Sequence, residues 1–155
     1  MVNNIATCPY CAGRKPLAGF NTLKAKRPEL AEMWSPNNSD SPDDVLPTQI
    51  KYVKWICPDC NGEFDSPIDD MVAGLVTCPY CDDRRVLSDY NSLKARYPEL
   101  SKLWSDKNTL PSDKYLYSST VWAFWHSNII STLNGFTATL PLRFHGLEIS
   151  LVLTR

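Results

Sequence analysis

The sequence predicts a small metal-stabilised α+β protein built from short helices and β-hairpins, ending in a β-rich tail. Three observations carry this expectation. All six cysteines fall in Cys-x-x-Cys pairs, at Cys8/Cys11, Cys57/Cys60 and Cys78/Cys81. Residues 7–38 align without gaps on residues 77–108, with 17 identities in 32 positions, and self-similarity of that order marks a duplicated structural unit. From Tyr115 to Leu142 no Asp, Glu, Lys or Arg occurs, so the end of the chain differs in kind from the repeat.

Bulk properties narrow the function classes. The chain has 155 residues, enough for one ordinary domain or two small ones. With 16 Lys and Arg against 17 Asp and Glu it is no polycation, so any nucleic-acid face must be local. Met1-Val2-Asn3-Asn4-Ile5 lacks the basic start and apolar run of a secretory signal, which places the protein in the cytoplasm. In that reducing setting paired cysteines suit metal chelation better than disulfides. Polar residues interrupt every apolar run of the tail, and no membrane association is expected.

Residues 1–46 read as an N-terminal half-unit, CPYC plus a short helix. The shared elements of the two copies are CPYC, an Arg, an aromatic-Asn pair, Leu-Lys-Ala, and Pro-Glu-Leu followed by Trp34 or Trp104. Asn21 and Asn91 are expected to cap a turn. Pro28-Glu29 and Pro98-Glu99 suit the first turn of a helix, where Pro is tolerated and Glu complements the dipole. Leu30, Met33 and Trp34 then share one face, as do Leu100, Leu103 and Trp104.

Residues 47–114 read as the complete four-cysteine unit. The stretch Ile50–Ile56 alternates as a strand and runs straight into Cys57, and the residues from Asn61 to Thr77 are expected to form a β-hairpin between the two cysteine pairs. Residues 115–155 form the tail. Asn134-Gly135 between branched runs predicts a tight hairpin, and Leu147–Leu153 reads as a strand whose open edge could pair with another copy.

The spacing Cys57-x2-Cys60, 17 residues, Cys78-x2-Cys81 lies in the range of four-cysteine zinc sites. Two thiolates two residues apart can face one tetrahedral ion, and two such pairs close its shell, so the expected cofactor is a structural Zn2+ with no position left for substrate. Pro58 and Pro79 stiffen the two turns. Cys8 and Cys11 match Cys78 and Cys81 and are also candidate ligands. Their open alternatives are an ion shared with His126 or His145, one shared with a second chain, and no ligation at all.

CPYC with Gly-Arg-Lys, Gly-Phe-Asn, Pro-Glu-Leu-Ala and Trp, then a Trp-bearing strand before Cys-Pro, resembles the tandem zinc-ribbon or treble-clef-like domains of bacterial and phage proteins, over residues 7–115. In that family the first pair is commonly a Cys followed by a Gly-His-x-Trp stretch. Here Cys57-Pro58-Asp59-Cys60-Asn61-Gly62-Glu63-Phe64 puts a Cys near the His position and Phe64 in place of the aromatic. The resemblance implies zinc ligation and, because members are often inferred to bind nucleic acid and some are joined to nucleases, a nucleic-acid role. No nuclease motif is visible, and the tail after Trp125 departs from the pattern completely.

The leading functional expectation is DNA binding through Arg14, Lys15, Lys24, Lys26 and Arg27 of the first copy and Arg84, Arg85, Lys94 and Arg96 of the second, with Tyr10, Phe20, Tyr80 and Tyr90 placed to stack on bases. The alternative is a protein-interaction or self-association module that uses the apolar tail. CPYC is also the active-site tetrapeptide of glutaredoxins, but Gly13, Pro16 and Gly19 spoil the helix that such a thiolate needs. No carboxylate or nucleophile is arranged with His126 or His145. The chain is therefore expected to be no enzyme and to take no small-molecule substrate.

Overall fold

The computed structural model describes residues 8–126, 141–145 and 148–150. The chain forms two compact units, Met1–Cys78 and Pro79–Arg155. In the first lie α1 (Leu23–Lys26), α2 (Pro28–Glu32), β1 (Tyr52–Ile56), β2 (Glu63–Pro67) and α3 (Ile68–Val72). In the second lie α4 (Leu93–Arg96), α5 (Pro98–Ser101), a 3-10 turn (Ser112–Lys114), β3 (Ala123–Phe124), β4 (Pro141–His145) and β5 (Glu148–Ser150). Strands β1 and β2 pair antiparallel, and β3-β4-β5 form a second antiparallel sheet. Among the described residues no helix is long and apolar enough to cross a membrane.

Each copy carries two very short helices where the sequence suggested one. Arg27 and Tyr97 precede prolines, which push them out of the helical region, to φ −139 ψ 68 and φ −134 ψ 69. That break ends α1 and α4 and lets Pro28 and Pro98 restart the chain as α2 and α5. The caps also differ from expectation. Thr22 and Ser92, not the asparagines, accept from Ala25 N and Ala95 N.

The asparagines turn inward and act as clamps. Asn21 accepts from Leu17 N at 2.7 Å and donates to Tyr10 O and Lys15 O at 2.8 and 2.9 Å. Asn91 accepts from Leu87 N at 2.7 Å and donates to Tyr80 O and Arg85 O at 2.7 and 3.0 Å. Each amide thus ties the turn after a Cys-x-x-Cys pair to the start of a helix. A buried amide with all its partners is stabilising, and removal of it strands three backbone groups.

The tryptophans form the second recurring tie. Trp34 meets Trp55 edge to face at 5.4 Å, and Trp104 meets Trp125 at 5.0 Å. Bridges Trp34–Trp55 and Trp104–Trp125 carry the backbone pairing, and the indole N–H groups of Trp34 and Trp104 donate to Asp40 O and Leu110 O. Asn38 brackets Lys54 through its N–H and C=O, as Asn108 brackets Phe124. The repeat in hydrogen bonding therefore runs to Trp55 and Trp125, well past the part legible as sequence identity. The first core gathers Leu23, Leu30, Val53, Trp55, Phe64 and Ile68, and the second Leu93, Ala123 and Trp125.

Between Cys60 and Cys78 the expected hairpin is replaced by one strand and one helix. The hairpin that does form is β1–β2, in register from Tyr52–Pro67 to Ile56–Glu63, and it encloses the first cysteine pair at its tip. After Pro67 the acidic residues Asp69 and Asp70 favour the first turn of α3. Gly74, at φ +70, closes it as a Schellman motif, with Gly74 N to Met71 O and Leu75 N to Asp70 O. In the tail β5 covers part of the strand expected at Leu147–Leu153, while the Asn134-Gly135 hairpin lies outside the described residues.

Replacement of the fully buried Asn91 by Ala is expected to cost about 3 kcal/mol, through unsatisfied carbonyls and the lost clamp. Urea unfolding of Asn91→Ala checks this, and a midpoint unchanged from the parent would contradict the clamp.

Candidate metal centre

The first cysteine pair sits on the tip of the β1–β2 hairpin. Cys57 N donates to Gly62 O at 3.1 Å and Asn61 N to Cys57 O at 2.9 Å. Asn61 adopts a left-handed φ of +55, which asparagine tolerates better than most residues. The turn brings both thiols to the same side. The second pair sits on a loop wound around Pro79 O, which accepts from Arg84 N and Arg85 N at 2.9 Å each. Asp83, at φ +54, makes its bend. Its carboxylate accepts from Asn91 Nδ2 and from the Tyr117 phenol, which holds that phenol above its ordinary pKa.

The two pairs converge. The sulfurs of Cys57, Cys60, Cys78 and Cys81 all lie within 4.8 Å of one another, and Cys60 Sγ is 3.5 Å from Cys78 Sγ. None of the four is in a disulfide, since a bond would need sulfurs about 2.05 Å apart. Zn–S bonds of about 2.3 Å put tetrahedral ligands roughly 3.8 Å apart, so the donor set fits one ion. Cys57 and Cys60 are buried and Cys78 and Cys81 half-buried. Four sulfurs fill a tetrahedral shell, and the site they make is closed.

This is the donor set of a zinc-binding module. Residues 30–84 match the model of a family described as a probable treble clef zinc finger domain. The match starts in α2 and ends just past Cys81, so it contains both cysteine pairs of the cluster. No curated protein matches the chain.

The other predicted ligands are placed differently. Cys8 and Cys11 are exposed, and among the described residues they gather no third His, Cys, Asp or Glu donor. Backbone N–H groups of Cys11 and Tyr10 aimed at its sulfur lower the Cys8 pKa, while Cys11 is raised because its thiol donates to Cys8 and faces its charge. His126 is exposed and anchored by its backbone N–H to Leu103 O.

The predicted basic residues divide by environment. Arg14, Lys15, Lys24, Lys26, Arg84, Arg85, Lys94 and Arg96 are exposed, whereas Arg27 is half-buried and donates to Val72 O at 2.7 Å. Lys24 pairs with Asp43, Arg27 with Glu29, and Arg84 with Asp82. Lys26 lies over Phe20 and Arg96 over Tyr90, so the same cation–ring contact recurs in both copies. Of the rings read as stacking platforms, Tyr10 and Phe20 are exposed, but Tyr80 is buried beneath Arg85 and offers no face to a base. The clamps were missed by sequence reasoning, although the recurring aromatic-Asn pair was their signal.

Removal of zinc is expected to unfold the β1–β2 hairpin, because Trp55 lies two residues from Cys57 and these short elements cannot hold together alone. Trp55 fluorescence should change in step with zinc release during chelator titration. Acid should release the ion in the same way, since thiolates bind metal and thiols do not. An unchanged spectrum after complete zinc loss would contradict this dependence.

Proposed function

We propose that the protein is a non-catalytic, cytoplasmic zinc module that binds nucleic acid, with DNA the favoured form, through cationic and aromatic side chains held rigid by the metal centre. The observation that carries this reading is the repeated pair of a cation over an exposed or half-exposed ring, Lys26 on Phe20 and Arg96 on Tyr90. Such a pair offers a charge to a phosphate and an aromatic edge to the neighbouring base. Arg14, Lys15 and Lys94, near them in sequence, add exposed charge. The closed sulfur shell argues for a structural ion, because no ligand position remains for a substrate.

One observation favours a protein partner instead. Tyr52 and Trp122 occupy the same place in the two copies and are both largely exposed, with exposed Ile50 and Phe124 close by in sequence. Exposed aromatics commonly serve protein contacts.

Salt separates the two readings. Phosphate binding must weaken steeply with ionic strength, by about tenfold or more between 50 and 200 mM salt for a few contacts. Fluorescence anisotropy with a labelled duplex is expected to show that slope, and Lys26→Ala with Arg96→Ala should reduce it by about 2. Binding that is flat in salt, or unaffected by the two substitutions, would favour the protein-contact reading.

A further inference from the structure

The Cys8–Cys11 turn repeats the main backbone contacts of the Cys78–Cys81 turn. Pro9 O accepts from Arg14 N and Lys15 N at 2.8 and 3.2 Å, as Pro79 O accepts from Arg84 N and Arg85 N. Gly13, at φ +64, makes the bend that Asp83 makes in the other copy. The Asn21 clamp holds Tyr10 O and Lys15 O just as Asn91 holds Tyr80 O and Arg85 O. The geometry that presents two sulfurs to one ion at Cys78 and Cys81 is therefore in place at Cys8 and Cys11.

What differs is cover. Tyr10 is 37% exposed where Tyr80 is 7%. Leu17 and Phe20 are exposed where Leu87 and Tyr90 are half-buried, and Cys8 and Cys11 are exposed where Cys78 and Cys81 are half-buried. The partner of Cys78 and Cys81 is a second Cys-x-x-Cys pair. An open turn of the same build is fitted for the same chemistry, a further pair of thiolates.

We propose that Cys8 and Cys11 form half of a second metal site, which the same two cysteines of a second copy complete, so that one zinc ion joins two chains. Within one chain Cys57, Cys60, Cys78 and Cys81 are committed to one another. The pair each copy has left to offer is Cys8 with Cys11, and a two-fold axis through the ion makes the contact self-complementary. Charge supports the arrangement. Four thiolates around a divalent ion carry net negative charge, and Arg14 and Lys15 follow each pair closely, so cations that would repel across the contact are offset by the centre itself. Tyr10 and Leu17 supply the apolar rim that the contact covers.

Native mass spectrometry of the full chain, purified reduced and with zinc, tests the proposal against Cys8→Ser with Cys11→Ser. The parent is expected as a dimer with three zinc ions, and the double variant as a monomer with one. A parent monomer with one ion, a parent monomer with two, or a dimer that survives in the double variant would each overturn the proposal. The ion retained by the double variant reports on the central centre, so failure of the shared site is distinguishable from failure of the zinc reading itself.

Discussion

Four cysteine sulfurs within 4.8 Å of one another set the terms for the rest of this chain. No described helix or strand exceeds five residues, and helices of four or five residues do not persist alone, because nucleation costs more than one turn returns. A two-stranded hairpin is equally marginal. Order must come from cross-links, and the thiolate cluster is the strongest available: it fixes the tip of the β1–β2 hairpin to the turn at Cys78–Cys81. Because an apolar core this small cannot offset the chain entropy alone, metal affinity and folding free energy become the same quantity around the centre.

Two weaker ties do the corresponding work away from the ion. The Asn21 and Asn91 clamps satisfy carbonyls that loops would otherwise leave to water, and the Trp34–Trp55 and Trp104–Trp125 contacts tie the segments that follow α2 and α5 to residues far along the chain. Both recur at the same positions of the two copies. Many of the shared hydrogen bonds are made by backbone atoms, which explains how the pattern reaches Trp125 although identities become sparse after Asn108. Backbone geometry tolerates a change such as Lys54 to Phe124, whereas a metal ligand tolerates almost none.

The cluster was legible because thiolate spacing maps directly onto coordination geometry, and β1 was legible because Ile50–Ile56 alternates. Other parts were hidden for physical reasons. Asn21 looks like a cap from its neighbours, but its partners lie 4, 6 and 11 residues away, beyond local propensity. The helix α3 carried ordinary signals in Pro67, Asp69, Asp70 and Gly74, which the expectation of a hairpin overrode. The proline breaks at Arg27 and Tyr97 follow from a steric rule that acts on the residue before proline, not on proline itself. Burial of Tyr80 beside exposure of Tyr10 depends on what covers each turn, and identical CPYC sequences hold no record of that.

Zinc K-edge X-ray absorption on the full chain addresses the central claim most directly. Ligation by Cys57, Cys60, Cys78 and Cys81 predicts a first shell of four sulfurs at about 2.3 Å, with no nitrogen or oxygen scatterer. A shell containing light atoms, or a reduced protein that retains no zinc, would contradict it.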